Sequence, residues 1–372
     1  MSERLKSLLK TLIQHAQSYH QSANDSSPPL DELAAVLRLL PTLDPSDPAV
    51  GAQIGALLSA LTVSRLESDS RVLALCASEI RTHWAQPLSL PPQSPDEPIC
   101  DIVGTGGDGF NTFNVSTAAA IVAAGAGLKV CKHGNRASSS ATGSADLIMA
   151  HGIPLPSLTS SHLSNLIPST NFSFLYSPTF YPFFGTLAPL RRAIGTRTLF
   201  NLLGPFLNPA KPNRLILGVS DPKLGPTVAR ALELYGCHGS WVVCGAEGLD
   251  EISPEGSTTI WKVGSDQSEP DCITVEPFKD FGIKSHPLTE VIGGGPSENV
   301  MILKNLLENQ LTNQNMNSIL DFVLINCAAL LFVGGKAIDL KDGVKLARES
   351  LKSGAAKNAL EKFKDVVLKE IK

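Results

Sequence analysis

Over residues 1–86 the apolar positions recur at helical spacing. Leu5, Leu8, Leu9, Leu12, Ile13 and Ala16 mark one amphipathic segment. Leu30, Leu33, Ala34, Leu37 and Leu40 mark a second, for which Ser27-Pro28 offers a cap and a first-turn proline. Ser46-Asp47-Pro48 opens a third, with Ile54, Leu57, Leu58 and Leu61 on one face, and Ser68 is the predicted cap of a fourth that runs to about Trp84. Four short helices, each apolar on one side, predict a small bundle with some apolar surface left over. Pro87, Pro91, Pro92, Pro95 and Pro98 then break the period and mark a semi-rigid linker at a domain boundary. Beyond it, short apolar runs alternate with loops and helical patterns. Ile99–Val103, Leu128–Cys131, Arg214–Ser220, Trp241–Gly245, Thr258–Val263 and Cys272–Val275 read as strands; helices are expected at 118–126, 223–235, 298–309, 318–332, 342–352 and 355–370. This alternation predicts an α/β domain around a mainly parallel sheet, with ligands at the carboxyl ends of the strands. The expected organisation is a helical domain over residues 1–90, joined by helices from about 178–205, and an α/β domain over residues 98–372.

Composition changes this picture little. The chain of 372 residues is 43% hydrophobic and 18% charged, as in an ordinary globular protein with a sizeable core. A net charge of −4 argues against a general nucleic-acid or membrane-surface role, though not against a local basic pocket. The seven cysteines (76, 100, 131, 237, 244, 272 and 327) are odd in number and scattered, with no C-x-x-C pair. They read as buried free thiols of a reducing compartment. The first residues lack the apolar core of a signal peptide, and no uninterrupted apolar run reaches ~18 residues, so a cytoplasmic location is expected.

The candidate chemistry lies in residues 99–146. A buried strand runs into Gly104-Thr105-Gly106-Gly107-Asp108-Gly109, and Asn114-Val115-Ser116-Thr117 opens an alanine-rich helix. Glycines let the backbone approach a ligand, and the helix start supplies free N–H groups, which together favour an anion. Gly104, Gly106 and Gly109 form a formal G-x-G-x-x-G, but no Asp or Glu occurs between Asp108 and Asp146 to hold a ribose, so a nicotinamide site is disfavoured. No Walker loop is present. The second strand ends in Lys132-His133-Gly134-Asn135-Arg136, followed by the hydroxyl-rich Ser138, Ser139, Ser140, Thr142 and Ser144. Two neighbouring loops rich in N–H, hydroxyl and cationic donors suit a ligand with more than one phosphate, although plain β–α turns share these residues. Asp250-Glu251 carries no adjacent base; it is either half of a hard-cation site or a solvated acidic turn. Phe174, Tyr176, Phe180, Tyr181, Phe183 and Phe184 form an aromatic cluster consistent with core packing, and Arg191, Arg192 and Arg197 could lie on a solvated helix face.

The segment GTGGD-x-x-x-TFN-x-ST, the KHGNR that follows and the later FNLLGP-x-x-NP resemble the anthranilate phosphoribosyltransferase family from about residue 30 to the C-terminus. Pyrimidine nucleoside phosphorylases share the fold and a KHG-like segment, but their lysine-rich phosphate motif is not found here. The resemblance implies a nucleoside phosphorylase/phosphoribosyltransferase-type α/β fold. It also implies transfer of the phosphoribosyl group of phosphoribosyl pyrophosphate to the amine of anthranilate in tryptophan biosynthesis. Mg²⁺ and a homodimer formed through the helical domain come with it. Carried over by position, the donor would be held by Gly104, Gly107, Asp108, Thr112, Asn114, Ser116, Thr117, Lys132, Ser139 and Ser144. Anthranilate would meet Gly104, His133, Asn135 and Arg191, the last through its carboxylate, and Mg²⁺ would meet Ser116, Asp250 and Glu251. Two positions depart from the family pattern. Tyr181 stands before Pro182 where histidine is usual, and Ala141 stands where lysine is frequent, which leaves Lys132 and Arg136 as the cations of that loop. An aniline nitrogen needs no strong base, so no general base is assigned. Alternative readings are a pyrimidine nucleoside phosphorylase and a catalytically silent, nucleic-acid-binding relative; the retained Asp250-Glu251 and the net acidity weigh against the second.

Overall fold

The computed structural model describes residues 2–19, 27–94, 97–137, 140–264, 270–311 and 314–372. Pro95, Ser138 and Ser139 therefore lie outside the described residues. The four N-terminal helices form as expected: α1 (Ser2–Tyr19), α2 (Leu30–Leu39), α3 (Pro48–Val63) and α4 (Ser70–His83). Asp47 caps α3, accepting from the backbone N–H of Ala49 at 2.8 Å and of Val50 at 3.3 Å, while Pro48 fills the first turn where no donor is needed. Two caps differ from expectation. Asp69, not Ser68, caps α4 by accepting from Arg71 N–H at 2.8 Å, and α2 follows Pro29 with no side-chain cap from Ser27.

A seven-stranded sheet organises the remainder. Its strands are β1 (Ile99–Gly104), β2 (Lys129–Gly134), β3 (Phe172–Tyr176), β4 (Arg214–Gly218), β5 (Trp241–Gly245), β6 (Thr258–Lys262) and β7 (Cys272–Val275). The order is β3-β2-β1-β4-β5-β6-β7. The first five strands pair in parallel, with Cys100 opposite Val130 on one side and Arg214 on the other; β6 and β7 close one end antiparallel. β3 is the strand that the sequence pattern hides. All five of its residues are buried, so no polar alternation marks it, and Phe174 and Tyr176 read only as aromatics. β2 runs past its expected end at Cys131, which places Lys132 and His133 within the strand rather than in a loop.

Helices α5 (Val115–Gly125), α6 (Ser144–Ala150) and α7 (Ser160–Leu166) follow the first strands; α8 (Ser177–Phe180), α9 (Pro182–Ile194) and α10 (Leu199–Leu203) come after β3, and α11 (Gly225–Leu234) after β4. α12 (Pro296–Leu307), α13 (Gln314–Val333), α14 (Leu340–Lys352) and α15 (Ala355–Glu370) complete the chain. α13 is long and apolar enough to cross a bilayer, yet 83% of its apolar window is buried between α5, α14 and the sheet, the place of a core helix. Six cysteines are buried free thiols, and Cys272 is exposed. α9 packs on α3, and α10 on α3 and α4. Trp84 forms the joint: its indole N–H donates to Leu37 O at 2.7 Å, and its ring meets Phe183, Phe184 and Phe200 at centroid distances of 5.0, 5.2 and 5.9 Å. Part of the aromatic cluster is thus interior packing between the N-terminal helices and residues 178–205.

Candidate active site

The chain winds outward from β1 to β2 and β3, then crosses back to β4 on the other side of β1. That reversal opens a crevice beyond the carboxyl ends of β1 and β4. A cleft of about 520 Å³ occupies it. Gly104, Gly107, Asp108, Thr112, Asn114, Ser116, Thr117, Lys132, His133, Asn135, Ser144, Arg191, Asp250 and Glu251 all line this one cleft. Thus every site residue expected from the sequence and lying among the described residues shares it, although the set spans five stretches of chain.

Asp250 is wedged into the crevice. A Cβ on Gly104 would stand 2.2 Å from Asp250 Oδ2, and one on Gly218 would stand 1.6 Å from Asp250 O. The loop after β5 reaches this depth only because both strand tips lack side chains. There Asp250 Oδ2 accepts from Gly106 N–H at 2.6 Å, which ties the acidic pair to the glycine loop. Burial, with the neighbouring Asp108 charge, pushes the Asp250 carboxyl up to about 7. Burial, with Asp250 beside it, holds Glu251 well above the usual carboxylate range. Lys132 is the nearest compensation. It is 2% exposed and its ammonium donates to Ile102 O at 2.6 Å, so its charge faces Asp101 and the acidic pair from inside the sheet. Among the described residues no three of His, Cys, Asp and Glu form a self-contained metal cage. Two crowded carboxylates with the Ser116 hydroxyl beside Glu251 instead fit a hard divalent cation that completes its shell with water and substrate oxygens.

The second half of the cleft is apolar and cationic. Phe184, Phe200, Pro205 and Leu207 line it together with Arg191. Burial lowers the Arg191 guanidinium from its ordinary value, and no acidic partner faces it among the described residues. His133 is buried. Its Nε2 has no protein partner, and burial pushes the imidazole down to about 4, so it is neutral at ordinary pH. The hydroxyls of Thr105 and Thr117, also on the cleft, are buried without partners. Orphaned polar atoms of this kind call for a ligand or water. Tyr181 does not line the cleft: its hydroxyl donates to Leu207 O at 2.6 Å and the residue is 1% exposed.

Three supporting residues escaped the sequence reading. Asn208, in the NP of FNLLGP-x-x-NP, donates to Asp101 Oδ2 at 2.8 Å and to Cys131 O at 2.7 Å, holding β1 and β2 together beneath the site. Arg197 follows the left-handed Gly195 that ends α9 and donates to Gly106 O at 3.1 Å, pinning the glycine loop from outside. Asn299 on α12 is 1% exposed and reaches Asn114. The motif containing Asn208 was visible, and Arg197 stood out in its arginine run but as a solvated helix face, which its bond to Gly106 O corrects; nothing local marked Asn299.

Residues 96–357 match the family model described as "Glycosyl transferase family, a/b domain". An anthranilate phosphoribosyltransferase from Schizosaccharomyces pombe is 43% identical over 338 residues, which cover 91% of this chain and 92% of the relative. The structure of anthranilate phosphoribosyltransferase from Saccharomyces cerevisiae in complex with PRPP and Mg superposes with a TM-score of 0.83 at 36% identity, covering 97% of this chain and 98% of that one. The same yeast enzyme in complex with 4-fluoroanthranilate gives a TM-score of 0.81 at 34% identity, covering 97% and 98%.

Proposed function

The chain belongs to the anthranilate phosphoribosyltransferase family and transfers a phosphoribosyl group to anthranilate; on that premise we propose which of its residues perform the transfer. The observation that carries the assignment is the wedge of Asp250 between Gly104 and Gly218, which sets two carboxylates against a glycine loop and a helix start. Phosphorolysis and nucleic-acid binding lose their footing with family membership.

The amine of anthranilate attacks the anomeric carbon of phosphoribosyl pyrophosphate, and pyrophosphate departs. Charge accumulates on the leaving oxygens, so donors fixed in advance lower the barrier most. Backbone N–H groups of the Gly104–Gly109 loop and the start of α5 would face those oxygens, with the Thr117 hydroxyl close by. Ser116, Asp250 and Glu251 would hold Mg²⁺, which when bound supplies positive charge to the departing pyrophosphate. Lys132 keeps the carboxylate pair tolerable inside the sheet and positions it rather than reaching outward. On the acceptor side, Arg191 would take the carboxylate of anthranilate while Phe184, Phe200 and Leu207 enclose the ring. The neutral His133, which lines the cleft, would lie beside the acceptor without needing to remove a proton from a weakly basic aniline. A fluorescence assay should therefore follow anthranilate loss that requires both phosphoribosyl pyrophosphate and Mg²⁺; loss without the donor, or undiminished by chelation, would refute this mechanism.

The proposal extends to a homodimer in the cytoplasm. Ile13 on α1 and Val63 at the end of α3 remain 51% and 64% exposed, apolar surface suited to a second copy. Sedimentation should report twice the chain mass of 39.4 kDa, and a strictly monomeric species would reject the pairing.

A further inference from the structure

Asn114 immediately precedes α5, where an asparagine ordinarily turns its side chain back onto the first-turn N–H groups. It makes no such bond here. Its Nδ2 donates to Thr142 O at 2.8 Å, and its Oδ1 accepts from Asn299 Nδ2 at 2.9 Å. Asn299 Oδ1 accepts from Gly294 N–H at 2.7 Å, and Gly294 O accepts from the Thr142 hydroxyl at 2.7 Å. The four bonds close on themselves. Every amide in the ring has a fixed orientation, because turning either one sets oxygen against oxygen.

The ring joins the segments that flank the cleft. Asn114 leads into α5, and Thr142 stands two residues before Ser144, the first residue of α6. Gly294 belongs to a strap that also pairs with the segment between the glycine loop and α5: Phe113 N–H donates to Val291 O and Gly293 N–H to Asn111 O, each at 2.8 Å. Thr142 and Asn299 are 5% and 1% exposed and Asn114 and Gly294 are half-buried, so the ring is largely shielded from water.

We propose that Asn299 is a positioning residue for the donor half of the reaction. It holds Asn114 away from its own helix, leaving the Ser116 N–H in the first turn of α5 open to an anion while Val115 and Thr117 N–H stay bonded to Phe113 O and Asn114 O, and locks the loops before α5 and α6 into one rigid frame. The proposal rests on the donor site assigned above. The test compares steady-state constants of the full-length protein with those of Asn299→Asp, which replaces the Nδ2 donor by an acceptor. KM for phosphoribosyl pyrophosphate should rise about tenfold, equivalent to ~1.4 kcal/mol, while KM for anthranilate stays near the wild-type value. Thr142→Val, almost the same shape, removes one ring bond and should shift the same constant in the same direction; Thr142→Ser should recover most of the loss. An unchanged donor KM in a folded Asn299→Asp or Thr142→Val protein, or equal rises for both substrates, overturns the proposal. Wild-type protein without transferase activity would instead mark failure of the donor assignment itself.

Discussion

Replacing Asp250 by Asn together with Glu251 by Gln should lower kcat at least about a hundredfold, the scale on which single preorganised charge-stabilising groups act, and should abolish the response to added Mg²⁺. The fold should survive. Burial and mutual proximity already oppose charge on the two carboxyls, and Asp250 is pushed up to about 7, so neutral isosteres remove a repulsion. Their shapes preserve the fit between Gly104 and Gly218, and the Asn side-chain oxygen can still accept from Gly106 N–H. Thermal unfolding should give a Tm equal to or above the wild type. A double variant that keeps its turnover removes the metal role; one that loses turnover only by unfolding assigns the pair to structure.

The second large effect is expected at Arg191. With no acidic partner among the described residues, its guanidinium is available to a carboxylate, and hydrogen bonds to charged groups contribute roughly 1.5–3 kcal/mol. Arg191→Ala should therefore raise KM for anthranilate by about ten- to a hundredfold and leave KM for the donor almost unchanged. Arg191→Lys should recover part of the loss, since a point charge lacks the fork that grips both carboxylate oxygens. Parallel rises for both substrates would remove Arg191 from the acceptor site.

Legibility in the sequence followed the range of the interactions. The β1–loop–α5 unit could be read directly because consecutive glycines and a Ser-Thr helix start act locally. The acidic pair was visible as two uncompensated carboxylates; its depth was not, because that depends on two glycines on different strands, one of them far along the chain. β3 was missed because a strand buried throughout shows no alternation. Lys132 looked like a loop cation, but three further residues of parallel pairing with β3 keep Lys132 to Gly134 in the sheet and turn the ammonium inward. The Asn299 ring joins Asn114 to a residue 185 positions away. No local propensity records such a partnership; the two asparagines look like ordinary polar residues until the chain has folded.

The cleft draws its two walls from different parts of the chain. The wall proposed to hold the phosphates is made by the tips of β1 and β2 and the start of α5, with β1 and β2 paired across the sheet. The aromatic side comes from residues 184–207, helices laid over the opening and anchored at Trp84. Divergence could thus retool this enzyme for a new nucleophile by redrawing one short insert of helices, while the machinery that weakens the glycosidic bond passes unaltered to the descendant.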